Sequence, residues 1–252
     1  MLRRAFLQVV AKNKILCATS KLALNYTNFG RFLSMIATIK LEKIVNKCHS
    51  IENYVNLAYS FQLGPISIRP AQVKEEIIQL LRFLAKLRPT TVCEIGTAGG
   101  GTLFLFAKVS HPNAIIISID LPGGPFGGGY PEWKASLYKH FAYSKQRIHL
   151  IRGDSHDLTT YQRVKKILAG KKLDFLFIDG DHTYEGVKKD FETYSSLVRQ
   201  GGIISFHDIV PGSPENVGGV PKFWNEIKHR YKYREIVKDW KQNGYGIGII
   251  YV

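Results

Sequence analysis

The sequence predicts an α/β fold in which a doubly wound, mostly parallel sheet ends in an antiparallel hairpin and is preceded by a basic helical extension. Three observations carry this. Thr91–Ile95 is a β-prone run that passes through a glycine turn into the helically spaced segment Leu103 to Val109, the pattern of strand, tight turn and helix. Further apolar runs, too apolar to face water on one side, alternate with helical patterns, as the strands of a parallel sheet do. At the end of the chain Glu235–Val237 and Gly246–Val252 flank Asn243-Gly244, a hairpin signal.

Taken in order, residues 1–52 read as a basic helical N-terminal extension and residues 53–252 as the α/β domain. In the extension Leu2, Phe6, Val9, Val10 and Ile15, and later Phe32, Ile36, Ile39 and Ile44, form apolar faces at helical spacing. Gly64-Pro65 and Pro70 mark a loop at the entry to the domain. Pro70 then opens a helix running through Leu87, with Val73, Ile77, Ile78, Leu80, Leu81, Leu84 and Leu87 at helical spacing, and Pro89 closes it. The second strand, Ala114 to Asp120, ends in a carboxylate, and the third spans Arg147 to Arg152. The glycine-rich stretch Gly123 to Trp133 cannot form a regular element, and reads as a mobile loop over the site. Its rings Tyr130 and Trp133 either wall the acceptor side or pack on the core. Leu173–Ile178 and Gly202–Phe206 are the next two strands. After them come a Gly-, Pro- and Val-rich loop from Pro211 to Pro221, placed to line an acceptor pocket, and a helix from Lys222 to Tyr231.

The first turn is the place for a nucleotide-like ligand, because backbone N–H groups and a helix N-terminus face it. A dinucleotide fingerprint needs a glycine where this chain has Ala98. Glu94-x-Gly96 followed by Gly99 and Gly100 resembles instead the first motif of class I S-adenosylmethionine-dependent methyltransferases. That resemblance implies a Rossmann-like sheet of seven strands, with S-adenosylmethionine held by Glu94, Gly96, Thr97, Gly99, Gly100 and Thr102. Asp120, at the tip of the second strand, can accept hydrogen bonds from both ribose hydroxyls. In the family a polar residue at the third strand's tip reads the adenine edge, which here falls on Asp154 or Ser155; either could also cap the helix beginning near Leu158.

The fourth and fifth strands run into Asp179-Gly180-Asp181-His182 and into His207-Asp208. In an open parallel sheet both tips emerge on the ligand side. Asp179, His207 and Asp208 there suit Mg²⁺ or another divalent metal, with Asp181 or His182 free to take a proton from an acceptor hydroxyl. Phe177 to Asp190 and Gly201 to Asp208 resemble the methyltransferase branch that holds cephalosporin-hydroxylase-like proteins and metal-dependent sugar O-methyltransferases. By that resemblance the first metal acid and an edge of the cofactor site fall on Asp179, the base on Asp181, and an acidic metal pair on His207 and Asp208. His207 departs from that pattern. The activity implied is O-methylation of a small or glycosylated acceptor.

At 252 residues, with 45% hydrophobic residues, the chain can bury a full core. Cys17, Cys48 and Cys93 are odd in number and form no Cys-x-x-Cys pair, so neither a disulfide framework nor a zinc ribbon is expected and a cytoplasmic setting fits. The net charge is +15, and residues 1–50 carry nine Lys or Arg against Glu42 alone. Arg3 and Arg4 look like the start of a targeting presequence, but Lys12 and Lys14 interrupt a secretory core. No apolar run reaches the roughly 18–20 residues that a spanning helix needs. The basic segment is expected to pack on the core or on a sister subunit in a homo-oligomer, with a membrane surface or nucleic acid as the competing partners. Three other functions compete: an RNA methyltransferase, an iron-dependent oxygenase using His182, His207 and an Asp, and a non-catalytic nucleotide-binding module. Against the first, Asp179-Gly180-Asp181-His182 stands where base-nitrogen methylation usually goes with Asn/Asp-Pro-Pro-aromatic.

Overall fold

A computed structural model describes residues 28–124 and 128–252. The expected apolar positions from Leu2 to Ile15, and Cys17, lie outside them. The chain enters through α1 (Asn28–Val45) and α2 (Ile51–Ser60), whose first turn is capped by the Ser50 hydroxyl accepting from the Asn53 N–H. The expected apolar set on α1 is not its buried face. Gly30, Ser34, Ala37 and Leu41 are buried, whereas Phe32 and Ile39 are exposed. Gly64-Pro65 turns a short ribbon of β1 (Gln62–Leu63) and β2 (Ile66–Ser67). The next helix, α3 (Lys74–Leu87), begins four residues beyond the expected Pro70. The Tyr59 hydroxyl donates to the Gln72 carbonyl at 2.5 Å, and Val73 is extended, so the helix starts only after them.

β3 (Thr91–Ile95), α4 (Gly101–Val109), β4 (Ile115–Asp120), α5 (Ala135–Lys139), β5 (Arg147–Arg152), α6 (Leu158–Leu168), β6 (Leu173–Ile178), α7 (Tyr184–Tyr194) and β7 (Val198–His207) follow, and then α8 (Pro214–Val217), α9 (Val220–Ile227), β8 (Lys232–Ile236) and β9 (Ile247–Tyr251). The seven-stranded sheet has the order β5-β4-β3-β6-β7-β9-β8, with the first five parallel and β9 and β8 antiparallel. Side chains alternate across it, as the two-residue period of a strand requires. Val92, Ile116, Phe175, Phe177 and Ile249 pack on one side with α1 to α4. Cys93, Ile117, Leu176, Ile204 and Phe206 pack on the other with residues of α6, α7 and α9. Among the described residues no helix is long and apolar enough to cross a membrane.

The closing hairpin is present, but Asn243-Gly244 is not its tight turn. Residues 237–246 form a long connection, in which Asn243, Gly244, Tyr245 and Gly246 all take positive φ and which folds back over the sheet end. Glu76, fully buried on α3, fixes it by accepting from the N–H of Lys238 (2.9 Å), the Gln242 amide (2.8 Å) and the N–H of Gly246 (3.0 Å). The expected Lys222 helix starts earlier, at Val220 with Pro221 in its first turn, and gives way to a 3₁₀ turn at Lys228–Arg230.

Candidate functional site

A cavity of about 1150 Å³ opens at the carboxyl ends of β3 to β7. β3 stands between β4 and β6, so the strand order reverses there, which is where open α/β sheets bind ligands. On one side of this point lie Gly96, Asp120, Asp154, Ser155 and His156; on the other lie Asp179, Asp181, His182, His207 and Asp208.

Gly96 has φ +98°, and a Cβ there would stand 1.9 Å from the Asp179 carbonyl oxygen, so only glycine lets β3 turn against the tip of β6. Ala98 occupies the left-handed region at φ 41° and donates its N–H to Asp120 Oδ2 at 3.1 Å. The Gly129 N–H also reaches the Asp120 carboxylate at 3.1 Å. Burial pushes the Asp120 carboxyl up, and the N–H groups of Gly129, Ala98 and Thr97 oppose that shift. Asp154 Oδ1 accepts from the His156 N–H at 2.8 Å, so this acid braces its own turn at the cavity edge.

Five expected cofactor residues do not line the cavity: Glu94, Thr97, Gly99, Gly100 and Thr102. Glu94 is fully buried, and its Oε1 accepts from the Ser118 hydroxyl at 2.7 Å. Burial raises its carboxyl to about 8 against the lowering effect of the Ser118 and Thr102 hydroxyls. Thr97 is hydrogen-bonded to Ser118. Gly100 takes φ +81° and abuts the Tyr138 ring. These residues build the turn from behind.

The acid and histidine cluster sits at the tips of β6 and β7. Asp208 has φ 60°, uncommon for a residue with a side chain, and its Oδ1 accepts the Tyr245 N–H at 2.9 Å. His207 Nδ1 donates to Asp179 Oδ1 at 3.1 Å and lies 3.3 Å from Asp208 Oδ2. The Gln72 amide donates to Asp179 Oδ2 at 2.8 Å. His182 Nδ1 donates to the Asn216 carbonyl at 2.5 Å, while Nε2 faces Asp179 Oδ1 at 3.4 Å. Burial opposes charge in this cluster, yet the His207 and His182 imidazoles drive the Asp179 carboxyl well below its usual range. The acids correspondingly raise His182 to about 9 despite its burial. Asp179, His182 and Asp208 each offer a ligand atom, and these atoms lie within 4.8 Å of one another. His182 thus stands in the geometric ligand set where the sequence pattern had placed His207. Two carboxylates and an imidazole suit a divalent first-row ion.

Asp181 Oδ1 accepts from the Thr183 N–H at 2.8 Å. Thr183, not Asp181, caps α7, its hydroxyl accepting from the Gly186 N–H at 3.0 Å. Glu215, Asn216 and Val217 line the cavity, as expected of that loop. Tyr130 and Trp133 are 4% and 7% exposed and belong to the core, so they are packing residues and not acceptor walls. Gln72 and Tyr245 were not legible as site residues in the sequence. A glutamine ahead of a helix and a tyrosine beside a glycine carry no distinguishing pattern.

Residues 93–209 match a family described as a methyltransferase domain. The fold of the chain is that of class I S-adenosylmethionine-dependent methyltransferases. Similar solved structures are an O-methyltransferase from Bacillus cereus in complex with SAH and the O-methyltransferase TomG from Streptomyces achromogenes, involved in tomaymycin synthesis, in complex with SAM. The first has TM-score 0.53 and 17% identity, covering 84% of this chain and 90% of that one. The second has TM-score 0.53 and 17% identity, covering 81% and 90%. An uncharacterised protein of Acanthamoeba polyphaga mimivirus is 33% identical over 120 residues, 47% of this chain and 51% of its own length. One of Sinorhizobium fredii is 24% identical over 149 residues, 56% of this chain and 15% of its own. The matches thus span about half the length of the first curated relative and less of the second.

Proposed function

We propose that this protein is an S-adenosylmethionine-dependent O-methyltransferase acting on a small or glycosylated acceptor, with a divalent metal at the acceptor side. The observation that carries this is one continuous cavity joining the Asp120 half to the Asp179, His182 and Asp208 half across the Gly96 turn. The likeness to SAM- and SAH-bound O-methyltransferases supports the cofactor. S-adenosylmethionine supplies an electrophilic methyl group on a sulfonium sulfur.

Asp120 accepts from the ribose hydroxyls, and Asp154 and Ser155 border the adenine end. Asp179, His182 and Asp208 would hold a divalent metal, which would supply Lewis-acid help in lowering the pKa of an acceptor hydroxyl. The His182 Nδ1 bond to Asn216 fixes the tautomer that presents Nε2 to the cluster. Asp181, on the cavity wall, takes the proton. The acceptor oxygen then bonds to the methyl carbon as the carbon–sulfur bond breaks, leaving S-adenosylhomocysteine. Leu121, Gly124, Glu215, Asn216 and Val217 border the cavity.

Calorimetric titration with S-adenosylmethionine, with and without Mg²⁺ or Mn²⁺, tests this beside Asp120→Ala. Saturable binding that weakens at least about tenfold in the variant is expected, since a ligand charge-assisted bond contributes about 1.5–3 kcal/mol. No binding by the wild-type protein under any condition overturns the reading.

A further inference from the structure

α1 packs Leu41, with Leu33 and Ile44 beside it, on the core but leaves other large apolar residues outside. Its buried face is made of Gly30, Ser34, Ala37, Thr38 and Leu41, while Phe29, Phe32, Met35 and Ile39 are 58%, 52%, 52% and 47% exposed. The small residues let the helix lie close on the domain, where the Ser34 and Ser136 hydroxyls meet at 3.1 Å. A helix that served only to cover its own domain would turn its large apolar residues inward. The outward residues follow the spacing of one helix face, and Lys43 lies four residues beyond Ile39 on the same side. A contiguous apolar stripe of this kind marks a contact with another body.

Charge decides which body. Arg31, Lys40, Lys43 and Lys47 lie along α1 and the turn after it, against the single acid Glu42 in that segment, within a chain of net charge +15. Two copies joined stripe to stripe would bring two basic segments together, which like-charge repulsion opposes. An anionic bilayer accepts both features at once: the rings and aliphatic chains enter the headgroup boundary while lysines stay at the phosphates. We propose that the outer face of α1 is a docking surface for anionic lipid membranes, with the helix lying in the interface plane. This stands apart from the methyltransferase reading and needs no turnover to test.

The experiment is co-sedimentation of the full chain with phosphatidylcholine vesicles, with and without about 30% phosphatidylserine, over a range of salt. Phe32→Ser/Ile39→Ser serves as the variant. Binding to the anionic vesicles at least about tenfold above the neutral ones, weakened by salt and reduced about tenfold in the variant, is expected. The variant should keep the wild-type thermal transition, because both positions are exposed. Absence of binding to anionic vesicles overturns the proposal, as does binding that the variant leaves intact. A lowered thermal transition in the variant, or a concentration-dependent dimer that the variant abolishes, would give the stripe to the chain itself or to a second copy.

Discussion

The carboxylate of Glu76, on α3, accepts the backbone N–H of Gly246 at 3.0 Å and so ties that helix to the residue just before the last strand. Its other oxygen takes Lys238 and Gln242. One side chain holds the connection whose Tyr245 N–H in turn holds Asp208. Glu76→Ala leaves the buried N–H of Gly246 unpaired and takes the carboxylate from the part-buried N–H of Lys238 and amide of Gln242. A loss of about 3–5 kcal/mol in urea denaturation is expected. Glu75→Ala removes only the exposed pair with Lys238 and should leave stability nearly unchanged. Equal effects of the two substitutions would deny Glu76 this role.

Gly96→Ala places a methyl 1.9 Å from the Asp179 carbonyl oxygen, on a backbone at φ +98°. The added carbon must push β3 from β6, and with it the tip that carries Asp179. Folded protein should be destabilised by about 3 kcal/mol or more, combining left-handed strain with overpacking. Gly64→Ala also has positive φ but meets nothing within 4 Å, so it isolates the strain alone. A Gly96 variant no worse than the Gly64 variant would remove the steric argument.

The strands were legible because short β-prone runs bounded by turn and helix signals mark them, and β3, β5 and β6 match their expected bounds. Asp120, Asp179, Asp181 and Asp208 reach the cavity for the same reason: each stands at a strand tip, where position follows from topology. Glu76 was not legible, since a glutamate in the first turn of a helix looks like any solvated acid until a loop more than 160 residues later closes on it. Gln72 and Tyr245 failed likewise. The hairpin signal Asn243-Gly244 was correct about left-handed backbone and wrong about the turn, because the same φ values also serve a long connection packed over a site.

Metal binding separates the two histidines. His182→Ala removes an imidazole from the set with Asp179 and Asp208, while His207 lies below them with its Nδ1 between the carboxylates. Mn²⁺ titrated by calorimetry should bind His182→Ala and Asp208→Asn at least about tenfold more weakly than wild type. Retained affinity in His182→Ala would return the ligand role to His207.

Glu94 gives the pH dependence. Its carboxyl rises from 4.5 to about 8, chiefly through burial. Between those values the folded protein holds a proton that the unfolded chain has lost. Stability from this group is therefore complete below pH 4.5 and falls as pH rises towards about 8, at up to about 1.4 kcal/mol per pH unit. Glu94→Gln has no proton to lose. Other titrating groups act on both proteins and cancel in their difference, so the variant should gain on wild type between pH 5 and pH 8 in urea denaturation. A difference that is the same at both pH values would mean that Glu94 is ionised where it lies, and that the Ser118 and Thr102 hydroxyls hold a carboxylate rather than an acid.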